Sequence, residues 1–278
     1  MAKDPTNSGQ QPAAMAQDEI RRLAQDAIRR LAADKLEAED PMRRRLSYLY
    51  DAYLSDDSNA RHVAMDRLRN EGASNADIVD TIIPEVARIM GQHWADDILS
   101  FAEVTIGTAR LQETVRSLSR SELSSQVGTL SVHLDDSSPS KVDRILLVIP
   151  RPEHHTLGTF VAADMLRRFG YAVDISVDQS AQQVALMVRK QRYAMVGITA
   201  AGRRSLASAR ELVEKIRGSV TRVTPIIVGG SLVGSDLDLK GITGADYVTN
   251  DIRAALELCG LDNAETEPVQ GEEVSRAD

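Results

Sequence analysis

Glu153-His154-His155-Thr156-Leu157-Gly158 is the stretch from which the fold of this chain can be worked out. An apolar run over residues 145–149 precedes it and predicts a buried strand, and residues 159–169 follow it with the pattern of a helix. In open α/β sheets, ligands bind outside the carboxyl ends of the strands, where such loops lie. The imidazole of His155 is therefore a candidate ligand for a metal held in a large cofactor.

The second half of the chain, residues 142–262, alternates strand and helix patterns five times. Strands are predicted at 142–149, 172–176, 195–199, 225–228 and 246–248, and helices at 159–169, 180–191, 205–216, 237–242 and 251–259. This alternation predicts a five-stranded parallel sheet with helices on both faces, which is a Rossmann-like α/β domain.

The first half of the chain has helical patterns only. Residues 41–120 contain four helical segments with short connections, which predict a four-helix bundle. Before it, residues 1–40 form a predicted flexible leader with an amphipathic helix at 15–36. Residues 121–141 are a Ser-rich linker that starts with a short helical extension, and residues 263–278 are a predicted disordered acidic tail.

Composition narrows the functional classes. The chain has 278 residues and a net charge of −8, so the whole molecule should repel DNA, and direct DNA contact is not expected outside a local basic patch. Its single cysteine, Cys259, excludes an internal disulfide and a cysteine-based metal cluster. No apolar run approaches the roughly 20 residues of a membrane span, and the first fourteen residues lack the apolar core of a signal peptide. We therefore expect a cytoplasmic protein without a membrane partner.

Three further features lie at predicted strand ends. Thr199 places a hydroxyl after the third strand, and Gly229-Gly230-Ser231 follows the fourth strand, where missing side chains leave room for a ligand against the backbone. Gly244-Ala245-Asp246 precedes the fifth strand. Each feature is weak alone, and their combination with the His155 loop favours a ligand site.

In this combination the second domain resembles the cobalamin-binding Rossmann-like domain. The motif of that family is Asp-x-His-x-x-Gly, then Ser after the third strand and Gly-Gly after the fourth. Here these positions hold Glu153-x-His155-x-x-Gly158, Thr199 and Gly229-Gly230. The resemblance implies that His155 is the lower axial ligand of cobalt and Glu153 its partner. It also implies that the remaining positions line a slot for the nucleotide tail, with some change in geometry from Glu for Asp and Thr for Ser.

The helical half strengthens the resemblance. Gly72-Ala73-Ser74, Ile83-Pro84, Gly91-x-x-Trp94 and Ala102-Glu103 are similar to the helical cap that precedes such domains, so the resemblance covers roughly residues 41–260. It implies that Trp94 lies over the upper corrin face, whereas without the family a Trp at this place is as often a core residue.

One departure concerns the upper face of the cobalt. Light-sensing relatives of the CarH and LitR type carry a Glu-His pair on the fourth helix, where this chain has Val104 and Thr105. The upper ligand therefore stays open between water, adenosyl, a partner's histidine and a histidine of this chain: His62, His93, His133 or His154.

Three functions fit these features. The first is a regulatory cobalamin sensor that is not an enzyme and most resembles the AerR/PpaA antirepressors of photosynthetic bacteria. That resemblance implies adenosyl- or hydroxocobalamin as cofactor, light or redox state as signal, and a DNA-binding repressor of the CrtJ/PpsR type as partner. The second is a corrinoid methyl carrier of a methyltransferase system. The third is a haem-binding sensor in which His155 binds iron. The sequence leaves the oligomeric state open.

Overall fold

The computed structural model describes residues 40–130, 143–151, 153, 155–219 and 223–261, and for residues 121–130 it describes the backbone alone. These residues divide into two compact units, one of 40–74 with 85–107 and one of 75–84 with 108–261. The predicted leader helix, the acidic tail and residues 131–142 lie outside the described residues. Within these ranges, no helix has both the length and the apolar character needed to cross a bilayer.

Four helices precede the sheet in the part of the chain that the structure describes. They are α1 (Pro41–Leu54), α2 (Ser58–Asn70), α3 and α4 (Phe101–Leu130); α3 runs through Asn75–Asp77, a π-helical turn at Ile78–Ile82, and Ile83–Ala95. The helices themselves match the sequence prediction. Helix α4 continues ten residues past residue 120, where the predicted bundle ends, so the Ser-rich linker begins as helix.

Local sequence explains where α1 and α2 begin. The Asp40 carboxylate accepts a hydrogen bond from the Met42 N–H at 2.9 Å, and Pro41 occupies the first turn, where its missing N–H costs nothing. The Asp57 carboxylate caps α2 by accepting from the Asn59 N–H at 2.9 Å. Such caps contribute about 1 kcal/mol each, and burial of apolar side chains supplies most of the stability.

The second unit contains a parallel sheet with strand order β2-β1-β3-β4-β5. Its elements in chain order are β1 (Arg144–Ile149), α5 (Leu157–Arg168), β2 (Ala172–Val177), α6 (Ala181–Lys190), β3 (Met195–Thr199), α7 (Arg203–Ser219), β4 (Ile226–Gly229), α8 (Leu239–Thr243), β5 (Tyr247–Val248) and α9 (Ile252–Leu258). The predicted fold class, a helical region followed by a Rossmann-like five-stranded parallel sheet, is confirmed.

Each face of the sheet has its own core. Leu146 and Val148 of β1 pack on the face that carries α6 and α7. Ile145 and Leu147 pack on the opposite face, with α5 and α9. Because both faces are covered, β1 is apolar at every position from 145 to 149, which is the pattern expected of a central parallel strand.

A partly buried polar network joins α5 to the helical segments of the same unit. The Arg168 guanidinium at the end of α5 forms ion pairs with Asp164 and with Asp80 of the π-helical turn. The Ser119 hydroxyl of α4 donates to the Asp164 carboxylate, which is almost fully buried. Burial raises the pKa of Asp80, and the adjacent Arg168 opposes that shift only in part. The helix that follows the His155 loop is therefore anchored by charges that have little access to solvent.

Candidate functional site

The strand order places a crevice at the carboxyl ends of β1 and β3. From β1 the chain passes through α5 on one face of the sheet, and from β3 it passes through α7 on the other. Such a reversal is the place where open α/β sheets bind ligands. The loop of Glu153 and His155 leaves β1 here, and residues 200–202 leave β3 beside it.

Glu153 and His155 form a close pair on this loop. Glu153 Oε1 accepts a hydrogen bond from the His155 N–H at 2.9 Å and lies 2.6 Å from His155 Nδ1. The Glu153 side chain is only 4% exposed, whereas that of His155 is 78% exposed. An ionised carboxylate at this distance favours the tautomer with hydrogen on Nδ1, so the lone pair of the neutral imidazole is on Nε2.

The environment of Glu153 keeps its carboxylate ionised. Burial raises the pKa of Glu153, but hydrogen bonds from the backbone and ring of His155 and from the Ala201 N–H outweigh burial, and that pKa lies below its usual value. Ala201 donates to Glu153 Oε2 at 3.0 Å and is held in place by the Ser205 hydroxyl, also at 3.0 Å. The carboxylate thus links the β1 loop to the β3 loop and orients the imidazole at the same time.

Thr199 ends β3 and faces α5. Its Oγ1 lies 2.7 Å from the Oγ1 of Thr159, a residue of the first turn of α5 that is only 4% exposed. Thr199 was predicted from the sequence as a site residue, whereas Thr159 was not. The available signal was the polar residue one position after Gly158, on a helix whose inward positions are otherwise mostly apolar.

The three motif glycines have different surroundings. A Cβ atom added at Gly158 would meet nothing within 4 Å, so this exposed position has open space where a side chain would be. At Gly229, a Cβ would lie 3.0 Å from the Thr249 carbonyl oxygen. At Gly230, φ is +117° and a Cβ would overlap the backbone of Ala200. Backbone atoms of Thr249 and Ala200 therefore occupy part of the space that the missing side chains of Gly229 and Gly230 leave.

Asn250 fixes the loop after β4 and was not identified from the sequence. Its Oδ1 accepts from the Gly230 N–H at 2.7 Å, and its Nδ2 donates to the Gly230 carbonyl at 3.0 Å. The signal was an amide side chain directly after the fifth strand, at the same edge of the sheet. Gly244-Ala245-Asp246 lies at the opposite edge, because the Asp246 carboxylate accepts from the N–H of Ile226 at the start of β4.

Trp94, the predicted contact for the upper corrin face, lies near the end of α3 in the helical unit. Its side chain is 50% exposed, so Trp94 is not a core residue. The neighbouring His93 contacts Tyr50: the His93 Nδ1 lies 2.6 Å from the Tyr50 hydroxyl. Thr105 is exposed and donates its hydroxyl to the Phe101 carbonyl at 2.7 Å.

Comparison with known proteins agrees with the fold. Residues 144–258 match the family described as the B12 binding domain. An uncharacterized 20.5 kDa protein from the bchF-crtJ intergenic region of Rhodobacter capsulatus is 28% identical over 208 residues, 75% of this chain and 98% of that protein. The monomethylamine corrinoid protein of Methanosarcina barkeri superposes with a TM-score of 0.57 at 17% identity, over 77% of this chain and 95% of the other.

Residues 144–258 are therefore similar to a B12 binding domain, and the predicted resemblance to the cobalamin-binding fold is confirmed. The relative in Rhodobacter capsulatus aligns over 98% of its own length, and the 208 aligned residues include part of the helical region of this chain as well as the α/β domain. These residues fit a bulky cofactor, because the oriented imidazole of His155 is exposed and Gly158, three residues further along the chain, adds no side chain that would block access.

Proposed function

We propose that His155 binds the cobalt of cobalamin through Nε2, as its lower axial ligand. The observation that supports this most directly is the 2.6 Å contact between Glu153 and His155 Nδ1. A buried carboxylate that holds one ring nitrogen raises the basicity of the other and fixes the ring plane, as it does in many metal sites. His155 is otherwise exposed and contributes little to the core, so packing does not account for its orientation.

The other motif residues belong to the same proposal. Gly158 admits the corrin beside the imidazole, and Thr199, Gly229 and Gly230 border the nucleotide tail. Trp94 contacts the upper face of the corrin. When bound, cobalamin supplies a cobalt ion whose axial ligands exchange with light or oxidation state, and the residues of this chain hold and orient it.

We further propose that the protein is a regulator that acts on a DNA-binding repressor of photosynthesis genes, of the CrtJ/PpsR type. The relative in Rhodobacter capsulatus is encoded between bchF and crtJ, in a photosynthesis gene cluster, and this location supports a link with such genes. The net charge of −8 favours action through a protein partner over direct binding to DNA. Light or redox state, sensed at the corrin, is the proposed signal.

A corrinoid methyl carrier is the second candidate. The fold is shared with the Methanosarcina barkeri monomethylamine corrinoid protein, which supports a carrier as well as a sensor. A carrier needs a methyltransferase partner, whereas a sensor needs a repressor, so the two candidates differ in what they bind. A haem-binding sensor is the third candidate and differs in its cofactor.

The cofactor is tested with purified protein, titrated separately with hydroxocobalamin and haemin and followed by absorption spectroscopy. We expect uptake of cobalamin, with a spectrum that fails to form in His155→Ala and forms normally in Arg210→Ala. Arg210 serves as the control because its 2.9 Å ion pair with Glu214 lies on the exposed surface of α7, in the same unit. Uptake of haemin and not of cobalamin would contradict the cobalamin assignment.

The regulatory role is tested by capture of a CrtJ-type repressor on the immobilised protein, in the dark and after illumination. We expect the captured amount to differ between the cobalamin-loaded and cofactor-free protein, and to respond to light in the loaded protein only. Capture that is the same in all four conditions would exclude the regulator. Methyl transfer to the bound cobalt by a methyltransferase would then favour the carrier.

A further inference from the structure

A groove of about 330 Å³ lies on the outer side of the helix pair α6 and α7. Its apolar part is formed by Ala185 and Leu186, and Leu186 is 42% exposed. Two exposed cations, Arg189 and Lys215, also line the groove. In the part of the chain that the structure describes, neither cation has an ion-pair partner, and no carboxylate belongs to the lining. The groove therefore presents a small apolar surface and positive charge to the solvent.

Both cations lie near the amino-terminal ends of the strands. Arg189 is in the last turn of α6, and Lys215 is four residues before the end of α7. In a parallel sheet the connecting helices return the chain to the start of the next strand, so the ends of these helices lie beside the strand starts. Leu261 lies at the same edge, because its carbonyl accepts a hydrogen bond from the hydroxyl of Tyr171, the residue directly before β2. The residues after 261 therefore start at the edge of the sheet where the two cations lie.

The sequence after residue 261 has the chemistry that complements this groove. Residues 263–278 contain five acidic side chains and one arginine, and the run Glu272-Glu273-Val274 places two carboxylates beside one aliphatic side chain. Extended, the chain from 262 to 278 spans up to about 58 Å, whereas a domain of about 120 residues is on the order of 35 Å across. The groove and α9 lie on opposite faces of the sheet, and a segment of this length can pass round the edge between them.

The small size of the groove favours an occupant that is tethered to it. A separate protein needs a buried interface of about 1,000 Å² or more for stable binding, and exposed ion pairs add little to its affinity. A segment of the same chain is instead present at an effective concentration in the millimolar range. A few weak contacts therefore suffice to hold such a segment in the groove.

We propose that residues 263–278 bind the α6–α7 groove of their own chain, with the two adjacent glutamates beside the two cations and the following valine on Leu186. The docked segment covers a surface that fits acidic peptides with an aliphatic side chain, so a partner of that chemistry must displace it. The cations lie at the opposite end of the strands from the crevice of the candidate site. Docking of the segment is therefore independent of the proposed cofactor.

The test places a nitroxide spin label on Ser275→Cys in the purified full chain. Cys259→Ala removes the single native cysteine, so the label has one point of attachment. Paramagnetic broadening of backbone amide signals in NMR spectra then reports which helices the labelled segment approaches. We expect broadening at the ends of α6 and α7 that line the groove. It should weaken when NaCl is raised to about 0.5 M, because salt screens exposed charges.

Charge reversal identifies the contacts. The double variant Arg189→Glu/Lys215→Glu should lower the broadening at α6 and α7 by about fivefold or more, the combined effect of two exposed ion pairs. Adding Glu272→Lys/Glu273→Lys to that variant should restore the broadening, because the charges are then exchanged and not removed. Thermal unfolding checks that each variant folds.

Arg203→Glu/Arg204→Glu is the matched control. It makes the same change in net charge in the first turn of α7, about 16 Å along the helix from Lys215, and should leave the broadening unchanged. Equal loss of broadening in the two charge-reversed variants, or no broadening at α6 and α7 in the chain with native charges, would overturn the proposal. Broadening that arises only between spin-labelled chains and separate isotope-labelled chains would also overturn it, since the occupant would then be the segment of a second copy.

Discussion

Replacing Glu153 by glutamine tests the central pair of the site without changing its size. The carboxylate accepts hydrogen bonds from the backbone and ring of His155 through Oε1, at 2.9 and 2.6 Å, and from the Ala201 N–H through Oε2 at 3.0 Å. A glutamine has one acceptor oxygen and one donor NH2. If the glutamine oxygen accepts from His155, the glutamine NH2 faces the Ala201 N–H, and two donors meet. If the amide is turned over, its NH2 instead faces the Nδ1–H donor of His155.

The contacts set the size of the effect. The Ala201 N–H keeps the Ser205 hydroxyl as an acceptor at 3.0 Å, so the change removes one hydrogen bond to a charged group, worth about 1.5–3 kcal/mol; the bonds to the exposed His155 add less, because water can replace them. We therefore expect Glu153→Gln to lower the free energy of unfolding by about 2 kcal/mol at neutral pH. Loss of the carboxylate behind a ligating imidazole typically weakens metal binding by about 10- to 100-fold, and we expect cobalamin affinity to fall by that factor.

The pH dependence has a definite sign. The pKa of Glu153 in the folded chain lies below the ordinary 4.5, so its ionised form favours folding. That stabilisation is fully present above the ordinary pKa and is lost as the pH falls through the lowered pKa of the folded state. The difference in unfolding free energy between the unsubstituted chain and Glu153→Gln should be constant near neutral pH and shrink below about pH 4.

Urea unfolding followed by circular dichroism, repeated at several pH values, measures the stability difference, and spectral titration measures cobalamin affinity. Glu214→Gln is the matched control, because Glu214 is an exposed glutamate of the same unit whose 2.9 Å ion pair with Arg210 lies on the surface of α7. Unchanged cobalamin affinity in Glu153→Gln, together with reduced stability, would refute the role of the carboxylate behind the metal ligand. A loss of stability that persists at low pH would refute its ionised state.

Three other changes separate the folding roles of the site from its binding role. Gly230→Ala should lower the unfolding free energy by about 3 kcal/mol, measured by urea unfolding, because φ of +117° is strained for alanine and its Cβ overlaps Ala200. Gly158→Ala should leave thermal unfolding of the cofactor-free chain unchanged or slightly improved, and weaken cobalamin uptake in a spectral titration; an unchanged affinity would argue against a cofactor at this position. Arg168→Met should cost about 3 kcal/mol, because it leaves two carboxylates of the buried network without their cation, and a double-mutant cycle with Asp80→Asn should give a coupling energy above about 1 kcal/mol.

The fold could be predicted where local sequence and burial agree. The continuous apolar run of β1 predicts a buried strand, and the Gly that follows α5 predicts the end of that helix. Tertiary contacts override neither prediction. A short helical extension of α4 into the linker was predicted, but its length to Leu130 was not, because serine and glycine are weak helix formers and this segment has no strong apolar stripe. The π-helical turn at Ile78–Ile82 also leaves no pattern in the sequence, since it adds one residue to a turn without changing the residue types.

The site was predictable only as a set of residue types on strand ends. The loop position of His155 and the carboxylate two residues before it are visible in the sequence, and the fold brings them into contact. The partners that fix the geometry come from elsewhere: Ala201 acts through its backbone N–H, which carries no sequence signal at all. Thr159 and Asn250 are ordinary polar residues until the sheet places them beside Thr199 and Gly230.

The strongest indication of a ligand comes from residues whose identity is not required for folding. Gly230 would be retained without any cofactor, because its positive φ and its contact with the Ala200 backbone exclude other residues. His155 and Gly158 have no such reason: one is an exposed imidazole and the other a glycine with open space where a side chain would be. Glu153 links the two groups, since it joins the loops by one oxygen and orients His155 by the other. A chain of this family that has lost its cofactor should therefore keep Gly230 and lose His155 and Gly158 first, whereas this chain keeps all three.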